Sequence, residues 1–313
     1  MNLSRRRFLE YCGIAAGALG LTPGDLVGLN EALANPSAPE VIWLHGSSCT
    51  GCSVSLLNHI SDAFPQTVVP VLTDAVNMTH HQTIMSFAGE SCAAVLEHAV
   101  KRGNYILVVE GAVPTAFNGY CCISYTYKGR EITFAEIVTQ MAQHASHVVC
   151  AGTCSAFGGI PAAGSDPSAA KSVSLHTGVP TINISGCPAN PGWTVWAIVQ
   201  LLLGNPVELD EDNRPVALYQ QPRQGGGGSG VWETIHQSCP RKSSFQTNRA
   251  ADFNDTVGKC LVDLGCRGQW TKSKCDRCWN GLEGQGSWCI GVNSPCQGCV
   301  EPTFPGTDSF FAQ

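Results

Sequence analysis

Cysteine dominates the chemistry this chain could perform: 17 of 313 residues, far more than packing requires. Cys49-Thr50-Gly51-Cys52 is a CxxC pair, and Cys154 and Cys187 stand in the Gly-flanked turns Gly152-Thr153-Cys154 and Gly186-Cys187-Pro188. Four thiolates at one locus hold zinc or an iron–sulfur cluster, and CxxC alone also suits a redox-active dithiol. Further on, His236-x-x-Cys239 precedes Cys260 and Cys266, and Cys275, Cys278, Cys289, Cys296 and Cys299 follow. Those nine side chains suffice for two four-ligand centres with one to spare. An imidazole among thiolates removes negative charge and raises the potential of an iron–sulfur centre. Zinc is chemically acceptable at each set, but three centres in one chain read better as an electron wire than as three staples.

The elements that must position these groups are legible from hydropathy. Short apolar runs at Val41–Leu44, Val68–Leu72, Tyr105–Val109, His147–Ala151 and Thr181–Ser185 predict strands. Between and after them, Val54–Ala63, Cys92–Lys101, Phe134–Ala145 and Trp193–Leu203 predict helices. That alternation implies an α/β domain with a parallel sheet covered on both faces. Ligands of such sheets collect beyond the carboxyl ends of the strands, where Cys49, Cys52, Cys154 and Cys187 all fall. Glycine at these turns lets backbone N–H groups approach a site. After the Gly-rich connector near 221–230 periodicity nearly vanishes, and a segment like 231–313 needs disulfides or metal centres to order it. The remaining cysteines are expected not to be ligands: Cys150 and Cys92 as small buried hydrophobes, Cys121 and Cys122 as an adjacent pair. Glu110, at the same sheet edge, reads as a loop cap rather than a proton carrier. His80 and His81 read as core or supporting residues, and His45 as a supporting neighbour of Cys49.

Composition narrows the function classes. A formal net charge of −6 argues against a nucleic-acid binder with a basic face. Arg5-Arg6-Arg7-Phe8-Leu9, a mildly apolar stretch from Tyr11 to Leu21 and Ala32-Leu33-Ala34 form an export signal of twin-arginine type, which would be removed with residues 1–34. That route exports folded protein and so favours metal centres over disulfides. No run of 18 apolar residues follows, so no membrane anchor of its own is expected.

Taken in order, Cys-Thr-Gly-Cys-Ser-Val-Ser from Cys49, Val-Glu-Gly-Ala-Val-Pro at 109–114, Gly-Thr-Cys-Ser-Ala-Phe-Gly-Gly, Gly-Cys-Pro, His-x-x-Cys-Pro-Arg and Pro-Cys-Gln-Gly-Cys-Val-Glu-Pro resemble the small subunit of a [NiFe] hydrogenase over essentially the whole chain. The resemblance implies a flavodoxin-like domain at 35–220 and an irregular cluster-binding domain of coil and short helices at 221–313. It implies a proximal [4Fe-4S] cluster on Cys49, Cys52, Cys154 and Cys187, and a distal [4Fe-4S] cluster on His236, Cys239, Cys260 and Cys266. Cys275, Cys296 and Cys299 match the ligands of the medial cluster. There the family usually has proline and [3Fe-4S]; this chain has Cys289, as in the selenium-containing branch, so a medial [4Fe-4S] is expected, or [3Fe-4S] if Cys289 is not a ligand. Cys278 competes with Cys275 or Cys289 as a ligand. Gly51 and Gly159 stand where oxygen-tolerant members carry extra cysteines, so the proximal cluster should be ordinary.

The implied partners are a large subunit bearing the Ni–Fe site and a soluble carrier such as a periplasmic cytochrome c, with the complex in the periplasm. Two other readings make different predictions. A quinone-reductase-type subunit predicts a sheet-edge cluster alone, and a zinc- or disulfide-stapled exported protein predicts a colourless one.

Overall fold

The computed structural model describes residues 40–59, 68, 76–86, 88–219, 234–275 and 288–306. The expected export signal at 1–34, the Gly-rich connector and Cys278 lie outside the described residues.

Five parallel strands, β1 (Glu40–His45), β2 (Met78–His81), β3 (Tyr105–Glu110), β4 (His147–Ala151) and β5 (Ile182–Ile184), form one sheet in the order 2-1-3-4-5. This is the flavodoxin-like winding, whose ligand crevice opens where β1 and β3 part. Alternate side chains of each strand enter opposite cores, as the two-residue period demands. Val41, Trp43, Ile106, Val108 and Val149 pack with helix α5 (Pro191–Leu202), and Ile42, Leu44, Leu107, Val109 and Cys150 face α2 (Gly89–Arg102) and α3 (Phe134–His144). Cys150 is fully buried as an apolar residue, in line with its reading from sequence. Two short helices, α1 (Gly51–Leu57) and α4 (Thr153–Phe157), begin within the loops that carry thiols.

Local chemistry sets the ends of these elements. Thr133 Oγ1 accepts the Glu136 amide at 3.1 Å to start α3, and Asn190 caps α5 with Pro191 in its first turn. A hairpin, Ile123–Tyr127 with Arg130–Thr133, intrudes before α3. It turns on Lys128 and Gly129, both at positive φ, and lysine there is not a turn signal that sequence reading recognises.

Two expectations are corrected. The second strand is Met78–His81 rather than Val68–Leu72; of the latter only Val68 is described, and it is helical. Strand β2 carries two buried imidazoles satisfied by hydrogen bonds, so it does not read as an apolar run. The first helix begins at Gly51, three residues before the expected Val54, and residues 60–63 of its expected end lie outside the described residues.

Beyond residue 234 the described chain is coil with short turns of helix, gathered on a small core of Ile235, Ile290 and Cys296. It is tied to the sheet at the carboxyl end of β5, where Ser185 Oγ donates to Val300 O at 2.8 Å.

Candidate metal centres along one edge of the sheet

The register places His45 beside Glu110 at the carboxyl ends of β1 and β3, and the chain turns there into Cys49–Cys52. Thr50 holds φ 66°, an unfavourable left-handed conformation for a β-branched residue, of a kind that clusters at functional sites. Cys154 lies in the first turn of α4 and Cys187 three residues beyond β5. The four thiols are near enough to act on one another electrostatically: Cys52 with Cys154 and Cys187, Cys154 with Cys187 and Cys49, and Cys187 with Cys49. Burial pushes Cys52 well above the ordinary thiol range, with the Glu110 charge adding to it, and pushes Cys154 up to about 12. Buried thiols raised in this way ionise together only against a concentrated positive charge, which is what iron supplies.

The backbone fits such a charge. The Ala189 amide donates to Cys52 Sγ at 3.4 Å, and the Ile160 amide donates to Cys154. Gly152, at φ +94°, leaves a gap beside the sulfur: a Cβ there would lie 2.5 Å from Cys52 Sγ.

Glu110 does more than cap a loop. Only 2 % exposed, its carboxylate accepts from Trp43 Nε1 (3.2 Å), Ser48 Oγ (2.9 Å), the amides of Cys52 (3.1 Å) and Ser53 (3.0 Å), and Ser53 Oγ (2.5 Å). It therefore fixes the start of α1, and with it the Cys52 sulfur, to the end of β3. His45 and His81 close the network through Ser53 Oγ at 3.1 and 3.3 Å. Burial lowers the pKa of both histidines, His81 to about 3. The signal for Glu110 in the sequence is its place at a strand end beside the thiols; the five donors around it come from residues 57 to 67 positions away in the chain.

A second set gathers in the irregular region. His236, Cys239, Cys260 and Cys266 line one cavity together with Arg241, Gly268 and Ile290. The imidazole meets the Phe245 ring edge-on at 4.7 Å, and burial lowers its pKa, which keeps it neutral as a ligand must be. The Arg241 amide donates to Cys239 Sγ and the Cys296 amide to Cys266 Sγ, both at 3.4 Å.

The third set lies between the other two. Cys299 interacts electrostatically with Cys275, Cys289 and Cys296, and Cys296 with Cys289. Ser273 Oγ contacts Cys275 Sγ at 2.9 Å, and Thr271 Oγ1 contacts Cys296 Sγ at 3.4 Å. Burial raises Cys299 strongly, and Thr153 Oγ1 of the first set's loop donates to Cys299 O. All described cysteines are free thiols, and among the described residues no three His, Cys, Asp or Glu side chains are close enough to share a single metal ion. Three sets of soft donors, two of them with backbone amides aimed at their sulfurs, fit the anionic sulfur-rich surface of iron–sulfur clusters. Cys121 and Cys122 stand apart from all three sets, Cys121 bonding to Ala116 O at 3.2 Å.

Comparison with known proteins adds independent findings. Residues 49–201 match the family model described as NADH ubiquinone oxidoreductase, 20 Kd subunit, and residues 232–312 match the C-terminal family model of the NiFe/NiFeSe hydrogenase small subunit. The chain is 35 % identical to the periplasmic [NiFe] hydrogenase small subunit of Solidesulfovibrio fructosivorans, over 97 % of this chain and 90 % of that one. It is 34 % identical to the periplasmic [NiFeSe] hydrogenase small subunit of Desulfomicrobium baculatum, over 99 % of each. The structure of [NiFeSe] hydrogenase from Desulfovibrio vulgaris Hildenborough superposes with a TM-score of 0.76 at 33 % identity, covering 90 % of this chain and 99 % of that one.

Proposed function

The chain belongs to the small-subunit family of [NiFe] hydrogenases, and we propose that it conducts electrons between a large subunit that splits dihydrogen and an external acceptor, through three iron–sulfur clusters. The observation that carries this reading is a chain of hydrogen bonds that joins the three donor sets end to end. Thr153 Oγ1, beside Cys154, accepts from the Gly186 amide at 2.8 Å and donates to Cys299 O, and the Cys296 amide donates to the Cys266 sulfur at 3.4 Å. Electronic coupling falls steeply across gaps and less steeply through bonded backbone, so this order supports a relay running from the sheet edge through the middle set to His236.

In this reading Cys49, Cys52, Cys154 and Cys187 hold the proximal [4Fe-4S] cluster, and His236, Cys239, Cys260 and Cys266 the distal one. Cys275, Cys289, Cys296 and Cys299 hold a medial cluster, with the fourth thiolate supporting [4Fe-4S] over [3Fe-4S]. When bound, the clusters supply one-electron acceptor sites. The chain's own groups fix their spacing, aim N–H donors at sulfur and, through Glu110, anchor the Cys52 turn. The periplasmic relatives and the amino-terminal arginine pattern support export to the periplasm by the twin-arginine route. No helix among the described residues is long and apolar enough to cross a membrane, which leaves room for a soluble acceptor such as a cytochrome c.

The quinone-reductase reading shares the match over 49–201, but it leaves the donor sets beyond residue 234 without a role. Reduction of the purified heterodimer under dihydrogen, followed by EPR, tests the proposal. Sequential reduction of three clusters on this chain supports it, and reduction of a single cluster sinks it.

A further inference from the structure

Outside the three donor sets, the far edge of the sheet gathers a fourth group of metal-binding side chains. His80, near the end of the edge strand β2, is 1 % exposed. Its Nδ1 lies 3.0 Å from Trp43 O. A carbonyl only accepts, so Nδ1 carries the ring proton and Nε2 presents a bare lone pair. That lone pair faces Cys92 Sγ at 3.4 Å, and Cys92 Sγ in turn lies 3.6 Å from Met85 Sδ. An imidazole tied through its other nitrogen to a backbone carbonyl is the usual arrangement of a metal-bound histidine. Burial also lowers the pKa of His80, so the ring is neutral near pH 7.

The sequence reading of Cys92 as a buried apolar residue is therefore corrected: the thiol is half-buried and turned onto two donors. Metal–sulfur bonds near 2.3 Å and metal–nitrogen bonds near 2.0 Å put neighbouring donors roughly 3.5–4 Å apart. The two observed separations sit at or just under that edge length, with Cys92 Sγ the donor common to both. One thiol, one thioether and one imidazole form a soft set that disfavours magnesium and calcium, and the thioether, which is not among zinc's usual ligands, favours copper(I) over zinc.

We propose that His80, Met85 and Cys92 form a copper(I) site, independent of the electron relay, that clips α2 to the edge strand. Binding exchanges the Cys92 S–H proton, released to solvent, for a sulfur–copper bond. Nε2 and Sδ donate lone pairs, and the copper enters already reduced, so no electron changes hands. Cys92 and Met85 are both part-exposed, which gives the ion a way in.

The test is anaerobic competition of the intact heterodimer against bicinchoninate for copper(I), with iron counted in the same samples. The wild type should hold one copper(I) per chain more than Cys92→Ser, with iron unchanged in both. Met85→Leu removes one of the three ligands and should weaken that extra site by about tenfold or more, at least the effect of losing a group behind a ligand. Copper absorption spectra of the extra ion should report two sulfurs and one nitrogen. Equal copper in wild type and Cys92→Ser overturns the proposal, as does copper uptake matched by iron loss, since the metal would then be attacking the clusters.

Discussion

Replacing Arg214 with methionine should loosen the seam between the sheet and the cysteine-rich region by several kcal/mol. The guanidinium is 1 % exposed and holds Asp210 (2 % exposed) at 3.0 Å, Asp212 at 3.0 Å and Glu301 at 3.2 Å. It also donates to Val300 O at 3.2 Å and lies 5.2 Å from the Tyr219 ring centre, while the Tyr219 hydroxyl donates to Ser185 O at 2.7 Å. One side chain thus ties the turn after Cys299 to the strand end before Cys187. Methionine preserves the length but leaves buried carboxylates without a counter-charge, which costs about 3–5 kcal/mol. At 1.36 kcal/mol per tenfold, local opening of 299–301 should become roughly 150- to 5,000-fold more frequent, read as faster amide hydrogen exchange there in the holo-heterodimer.

The loss should depend on pH in a defined direction. Burial raises the pKa of Glu301 and Asp212, and Arg214 opposes the rise. Without the arginine both rise further. A carboxyl with a raised folded-state pKa contributes stability that disappears as pH climbs through that pKa. The deficit should therefore be largest near neutrality and shrink as pH falls toward the carboxylate range. Pairing Arg214→Met with Glu301→Gln should recover part of it. Exchange at 299–301 changed by less than about tenfold, or a deficit indifferent to pH, would refute the reasoning.

Three further substitutions probe the donor sets. Gly152→Ala drives a Cβ to 2.5 Å from Cys52 Sγ at φ +94°, so iron per chain should fall by about four, whereas Gly258→Ala, with open space around it, should leave iron unchanged. Equal iron in the two variants would show that the gap at Gly152 does not matter. Glu110→Gln turns one acceptor into an amide N–H donor facing the donors of Cys52 and Ser53, destabilising by about 1–3 kcal/mol. It also removes a negative charge beside the first set, so the potential of the cluster there should rise in an EPR-monitored titration; an unchanged potential contradicts the electrostatic role. Cys289→Ala should remove about one iron and bring up an oxidised [3Fe-4S] signal, and a variant with full iron would return Cys289 to the bystanders.

How much of this was visible in the sequence depends on the range of the interaction. Four of the five strands stood out because parallel strands are apolar on both faces, as in Tyr105–Glu110. Strand β2 did not, because His80 and His81 are buried by virtue of bonds to Trp43 and Ser53, partners dozens of residues away. The convergence of Cys49, Cys52, Cys154 and Cys187 followed from the winding rule, since each lies just past a strand's carboxyl end. The connections between donor sets were invisible: that Thr153 donates to Cys299 O, that Cys296 donates to Cys266, and that Arg214 binds Glu301 are products of tertiary folding with no local signature. Glu110 was undervalued for the same reason, its donors coming from Trp43, Ser48, Cys52 and Ser53.

The central claim, that the three donor sets hold three four-iron clusters, is tested most directly by counting iron, acid-labile sulfide, zinc and nickel in anaerobically purified heterodimer beside its EPR spectrum. The account predicts about twelve irons with matching sulfide on this chain and no strong oxidised [3Fe-4S] signal, with nickel accompanying the larger partner. Zinc in place of iron, without sulfide, would contradict it outright.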